Sequence, residues 1–229
     1  RFTGLKTAVR AMLDDIIGVG KTSTSIRFAF APFSSSVNAG SFASSLIGTA
    51  SSKNCVAERD GVDRYNDAAA VGNFFDVDGL SMISDDATGA YETRAFKGYG
   101  APEFDVSTLC PKAEIFPLTG DYNLLSAQLD AYATGGITAG HTGIAFAWYL
   151  ISEKWMSFWP VGRKPAASTA VKKIVVLMTD GEFNAYFRSA NGLPNNQGRE
   201  LCYSMKQAGV TIFAVSFDNE GDSADLLKY

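Results

Sequence analysis

Histidine is nearly missing from this chain, with one in 229 residues, and cysteine is scarce at three. One imidazole and three scattered thiols make a poor zinc centre, since no cysteine spacing fits one. His141 has no nearby Ser or Cys to pair with as a nucleophile, so it reads as a hydrogen-bonded residue or a neighbour of some other site. Long hydrophobic runs are lacking too. The longest, Gly143 to Ile151, falls far short of the ~20 residues of a membrane helix. Basic excess is absent: 20 Lys and Arg against 24 Asp and Glu give a net charge of −4. Nucleic acid and direct contact with an anionic membrane are therefore poor partners, because both need a basic face.

What remains is an ordinary globular composition, rich in Gly, Ala and Ser, in a chain long enough for one domain with a large insertion. The chain opens at Arg1 without methionine and stops after Leu226-Leu227-Lys228-Tyr229. It is expected to be a fragment truncated at both ends, so the lack of a targeting segment carries little weight. In a reducing compartment Cys55, Cys110 and Cys202 would be small buried hydrophobes. Cys55 and Cys110 also flank a polar, loop-like region, where an oxidised protein places a disulfide. Cys202 would then be free, or paired beyond Tyr229.

Hydrophobic spacing sets the elements. Phe2, Leu5, Val9, Met12, Leu13 and Ile16 predict an amphipathic helix over 2–17, stopped by Gly18 and Gly20. Ser25 to Phe33 alternates as a strand. Residues 41–116 show no sustained period and read as an insertion with little regular structure. Asp121 caps a helix to about Tyr132. Thr134-Gly-Gly-Ile-Thr-Ala-Gly-His-Thr142 is a polar loop opening a helix to about Glu153, apolar nearly all round and hence buried. A two-sided apolar run, Lys172 to Thr179, predicts a strand buried on both faces and ending at Asp180. A helix over roughly 197–208 and a buried strand over 210–217 follow. Alternating strands and helices imply an α/β fold with a parallel sheet.

Several motifs invite chemistry. Gly18-Val-Gly-Lys-Thr-Ser23 fails as a phosphate loop, because Asp15 stands where a Gly is needed and the segment follows a helix. The acidic residues of the insertion (Asp60, Asp63, Asp67, Asp76, Asp78, Asp85, Asp86) lack calcium-loop spacing and read as a solvated acidic surface. Asp180 is different. At the C-terminal edge of a parallel sheet, where ligands bind, a carboxylate followed by Glu182 and Asn184 suits a hard divalent cation. An Asp-Gly turn is the plainer account of the same residues. Thr138 either caps the following helix or offers a hydroxyl beside Asp180.

These segments resemble a von Willebrand factor A domain. Phe28-Ala-Phe-Ala-Pro-Phe-Ser-Ser-Ser-Val-Asn38 looks like its second strand and turn. Thr134 to His141 looks like the loop with its metal-site threonine, and Val176-Leu-Met-Thr-Asp-Gly-Glu182 like its third metal motif. Leu118-Thr-Gly-Asp-Tyr-Asn-Leu-Leu, Ala145-Phe-Ala-Trp-Tyr-Leu-Ile-Ser152 and Leu177 to Asn184 are closer still to TadG-type proteins of bacterial tight-adherence (Tad, Flp-type) pilus systems. The resemblance implies one domain over 1–229 with 41–116 inserted. Its fold would be a Rossmann-like, doubly wound, mostly parallel sheet.

It further implies Mg²⁺ (or Mn²⁺) held by Thr138 and Asp180, with His141, Glu182 and Asn184 in possible supporting positions. The family's Asp-x-Ser-x-Ser motif is missing here and would lie upstream of Phe2, together with the first strand. The fragment should therefore bind the cation weakly or not at all. The implied role is not enzymatic. It is recognition of an acidic residue on a pilus or envelope protein, on the periplasmic or cell-surface side of a membrane that anchors the parent through an upstream helix. A structural scaffold with a vestigial metal site and, further off, a metal-dependent hydrolase are the rival readings.

Overall fold

The computed structural model describes residues 2–51, 54–69, 71–72, 74–77, 81–85, 91–95, 110–133, 135, 138–179 and 183–216. Helix α1 (Phe2–Ile16) buries Val9 and Leu13, as its apolar spacing requires. Leu13 and Ile17 pack on Tyr122 and Leu125 of α3 (Tyr122–Ala131), and on Phe28, Phe30 and Phe116 of strands β1 (Phe28–Phe30) and β7 (Phe116–Thr119). The Asp121 carboxylate caps α3 as expected, accepting from the amides of Asn123 at 2.9 Å and Leu124 at 3.2 Å. The 18–23 loop spends its backbone on the start of α3. Ser23 N donates to Gly120 O at 2.9 Å, and Tyr122 N donates to Lys21 O at 3.1 Å.

The fold is mixed α/β, but parallel pairing is confined, among the described strands, to β8 (Ile174–Thr179) and β10 (Thr211–Ser216). β1 and β7 pair antiparallel. Apolar runs report burial and say nothing of partner direction, so the α/β class was legible in the sequence and the direction of each pairing was not. β8 also differs from the expected two-sided burial. Val175, Leu177 and Thr179 are buried, while Ile174 is 52% exposed and Val176 36%. On β10, Phe213 and Val215 are exposed beside them. The helices α4 (Gly140–Ile151) and α5 (Pro194–Gln207) lie against this pair, and its buried side chains share their core. Gly209, at φ 80°, ends the turn after α5 as its position suggests.

The larger correction concerns 41–116. Helix α2 (Ala43–Ile47) and strands β3 (Cys55–Arg59), β4 (Phe74–Asp76), β5 (Ser81–Asp85) and β6 (Tyr91–Ala95) lie within it. β2 (Val37–Asn38), β3 and β4 form one antiparallel sheet. β6, β5 and β9 (Ala185–Tyr186) form another. β3 is buried at all five positions, charged Glu58 and Arg59 included, so it shows no in–out alternation to detect.

The main core joins α2, β3 and β4 to α4, α5 and β8. α4 buries nine of its twelve residues, as its all-round apolarity predicts. Around it Phe42, Phe74, Phe146, Tyr149, Trp155, Phe158 and Trp159 form a continuous aromatic cluster. The Arg59 guanidinium lies 4.8 Å from the Tyr149 ring centre and 5.3 Å from that of Phe74. Asp67, expected on a solvated surface, is buried. Its carboxylate accepts from Ser152 Oγ and from Lys154 Nζ at 2.6 Å, and its carbonyl accepts from Trp155 Nε1 at 3.1 Å. Paired in this way it fastens the insertion to the end of α4.

Candidate functional site

Thr138 is half-buried and stands two residues before α4. Both of its backbone groups are committed to the segment after β8. Thr138 N donates to Asn184 Oδ1 at 3.0 Å, and Thr138 O accepts from Asn184 N at 2.9 Å and Ala185 N at 3.2 Å. The two loops are thus clasped by three hydrogen bonds at one residue. The threonine's hydroxyl takes no part in them. Two glycines permit the approach. A Cβ on Gly140 would stand 1.8 Å from the Phe183 ring, and one on Gly143 would stand 2.2 Å from the Phe33 ring. Phe33 and Phe183 meet edge to face at 6.4 Å.

Asn184, read from sequence as a supporting residue, is therefore the direct partner of Thr138. Asp180 and Glu182 lie outside the described residues. The Thr138 hydroxyl is a hard oxygen donor of the kind Mg²⁺ or Mn²⁺ takes, while the Asn184 carboxamide oxygen is already engaged by Thr138 N. Among the described residues no three His, Cys, Asp or Glu side chains gather into a group that could hold a metal ion.

His141 is buried, and its ring points its Nε2 at Glu58 Oε1, 3.0 Å away. Glu58 Oε1 also accepts from Phe187 N at 2.8 Å. Burial pushes the Glu58 carboxyl up, but the hydrogen bond and charge of His141 and the Phe187 amide outweigh it, so the group sits below its ordinary value. Glu58 is accordingly a carboxylate, and a carboxylate only accepts, so Nε2 carries the proton. Beside it, the hydrogen bond from Arg188 leads the causes that hold the Asp60 carboxyl low. Asn191 Nδ2 donates to Arg59 O at 2.8 Å, and Tyr65 OH donates to Asn191 O.

Glu58 was missed in the sequence. Its one signal was a Glu-Arg pair closing the apolar run Cys55-Val-Ala-Glu-Arg59.

Cys55 and Cys110 are joined in a disulfide, as their flanking positions suggested, and Cys202 is free and half-buried. The disulfide packs with Ala57, Val77 and Phe187 and with Ala139 and Ala185, the residues next to Thr138 and Asn184. Among the described residues no helix is long and apolar enough to cross a membrane. Compared with protein-family models, with curated proteins and with solved structures, the chain matches none.

Proposed function

We propose that the chain is a Rossmann-like domain of von Willebrand factor A type, from a TadG-like protein of bacterial pilus assembly. Its task is to bind a protein partner through a divalent cation. The observation that carries this reading is the clasp of Thr138 to Asn184, which sets a Gly-rich loop bearing a hydroxyl against the segment that leaves β8. The parallel β8/β10 pair on its two helices supports the α/β part of the reading. The disulfide supports an oxidising location such as the periplasm or cell surface, with the parent anchored upstream.

A bound Mg²⁺ or Mn²⁺ would offer an open coordination position for a carboxylate of the partner, a pilus or envelope component. Thr138 would hold the ion directly or through water, with Asp180 as its companion. Asn184 fixes the threonine loop, and the insertion supplies contact surface. The domain performs recognition, not catalysis.

Thermal unfolding with and without millimolar Mg²⁺ or Mn²⁺ tests this, on the protein extended upstream and on its Asp180→Ala variant. A ligand at a hundred times its dissociation constant stabilises by about 2.7 kcal/mol. The wild-type midpoint should rise and that of Asp180→Ala should not. Equal midpoints throughout would remove the cation from the reading and return Asp180 to a turn.

A further inference from the structure

Glu58 is a buried charge that cation-dependent recognition does not itself call for. It stands three residues after Cys55 on β3, and its Oε1 serves two separate parts of the site. His141 Nε2 donates to it at 3.0 Å and Phe187 N at 2.8 Å. The two donors sit at one offset: His141 is three residues after Thr138, and Phe187 three after Asn184. The carboxylate therefore repeats, one step deeper, the junction that Thr138 and Asn184 make at the surface. Around it the insertion continues the seam. Ala57 and Val77 pack with Ala139, Ala185 and Phe187, Asp60 pairs with Arg188 at 2.5 Å, and Arg59 O accepts from Asn191.

We infer that Glu58 is a positioning residue for this site: its carboxylate, supplied by the inserted segment, locks the start of α4 and the 184–187 segment into the one arrangement that aligns Thr138 with Asn184. The insertion is then the floor of the site as well as surface around it. Removing the acceptor leaves a buried imidazole N–H and a buried amide N–H unpaired. The loops relieve that by parting to admit water, and the clasp above them loosens. What the aligned loops are for rests on the cation-binding reading, but the alignment is measurable without any cation.

The test is amide hydrogen exchange on the full chain, comparing wild type, Glu58→Ala, Glu58→Gln and His141→Ala. In Glu58→Ala, exchange at 139–142 and 184–187 should quicken by roughly ten- to a hundred-fold, as expected for losing hydrogen bonds to a charged acceptor. Leu13 and Leu125, in the separate cluster under α1, should keep their rates. Glu58→Gln retains an acceptor oxygen and should restore protection to within a few-fold of wild type. Uniform acceleration that includes Leu13 and Leu125 would reduce Glu58 to general stability and overturn the inference, as would no acceleration at all.

Should Glu58→Ala fail to fold, the other two variants decide. His141→Ala should release 139–142 while Phe187, still bonded to Glu58, stays protected, with Glu58→Gln near wild type. Release of both segments or of neither by His141→Ala would refute the proposal. The expected pattern with no effect of added Mg²⁺ on the upstream-extended protein would leave Glu58's role standing and remove the cation reading alone.

Discussion

Replacing Gly140 by alanine is a sharp test of how the two site loops are packed. The new Cβ would stand 1.8 Å from one ring carbon of Phe183 and 2.1 Å from the next. Phe183 is 2% exposed and has little room to retreat. Phe33 meets its edge, and on another side its ring stands 3.1 Å from where a Cβ of Gly198 would be. In an exposed helix interior Gly→Ala stabilises by about 1 kcal/mol. Here the residue opens the helix, so that gain is smaller. Overpacking a filled core costs about 1–3 kcal/mol. The clash wins, and a net loss of about 1–2 kcal/mol is expected, which for a chain of this size lowers Tm by about 2–4 °C per kcal/mol. Urea unfolding followed by tryptophan fluorescence measures it. Trimming the ring should rescue the variant, so Gly140→Ala with Phe183→Leu should lose less than the two single losses added, by about 1 kcal/mol. A Gly140→Ala protein as stable as wild type would refute the packing argument, since it requires a space the described core does not have.

Two further outcomes follow from other parts of the molecule. Because the folded-state Glu58 carboxyl sits below its ordinary 4.5, its contribution is complete above that value and is lost as pH falls through the lower folded value. Stability should drop on acidification below about 4.5, and Glu58→Gln should flatten that part of the profile; identical acid limbs would exclude the bond. The Cys55–Cys110 disulfide closes 55 residues of chain, worth up to about 4 kcal/mol by the loop-entropy account. Reduction or Cys110→Ser should lower the urea midpoint accordingly, and no change under reductant would show that the segment is held without the bridge.

How far the sequence could be read depended on where each element finds its partners. α1, α3 and α4 were legible because their signals are local: a helical stripe, the Asp121 cap and an apolar cylinder. The strands of 41–116 were hidden because they give no period: β3 is buried at all five positions, β4 is three residues long, and β5 pairs both with its neighbour β6 and with distant Ala185 and Tyr186. β8 was legible as a strand, while its half-exposed face depended on which elements come to cover it. Thr138 and Asn184 could each be singled out, but their clasp joins residues 46 apart. Glu58 was missed because nothing local marks it as buried, and only the arrival of His141 and Phe187 makes it a buried acceptor.

The separation between Glu58 and Phe187, 129 residues, also has a meaning in time. A chain is made from its N-terminus, and domains generally fold in that order. β3, with its two charges, leaves the ribosome long before the segment that satisfies them. Until Phe187, Arg188 and Asn191 arrive, the insertion has no place to bury its strand, and closing so long a span is intrinsically slow. The domain is therefore expected to stay open until nearly all of its length has emerged. Closure of the Cys55–Cys110 bridge and completion of the fold are therefore expected to be late and coupled events.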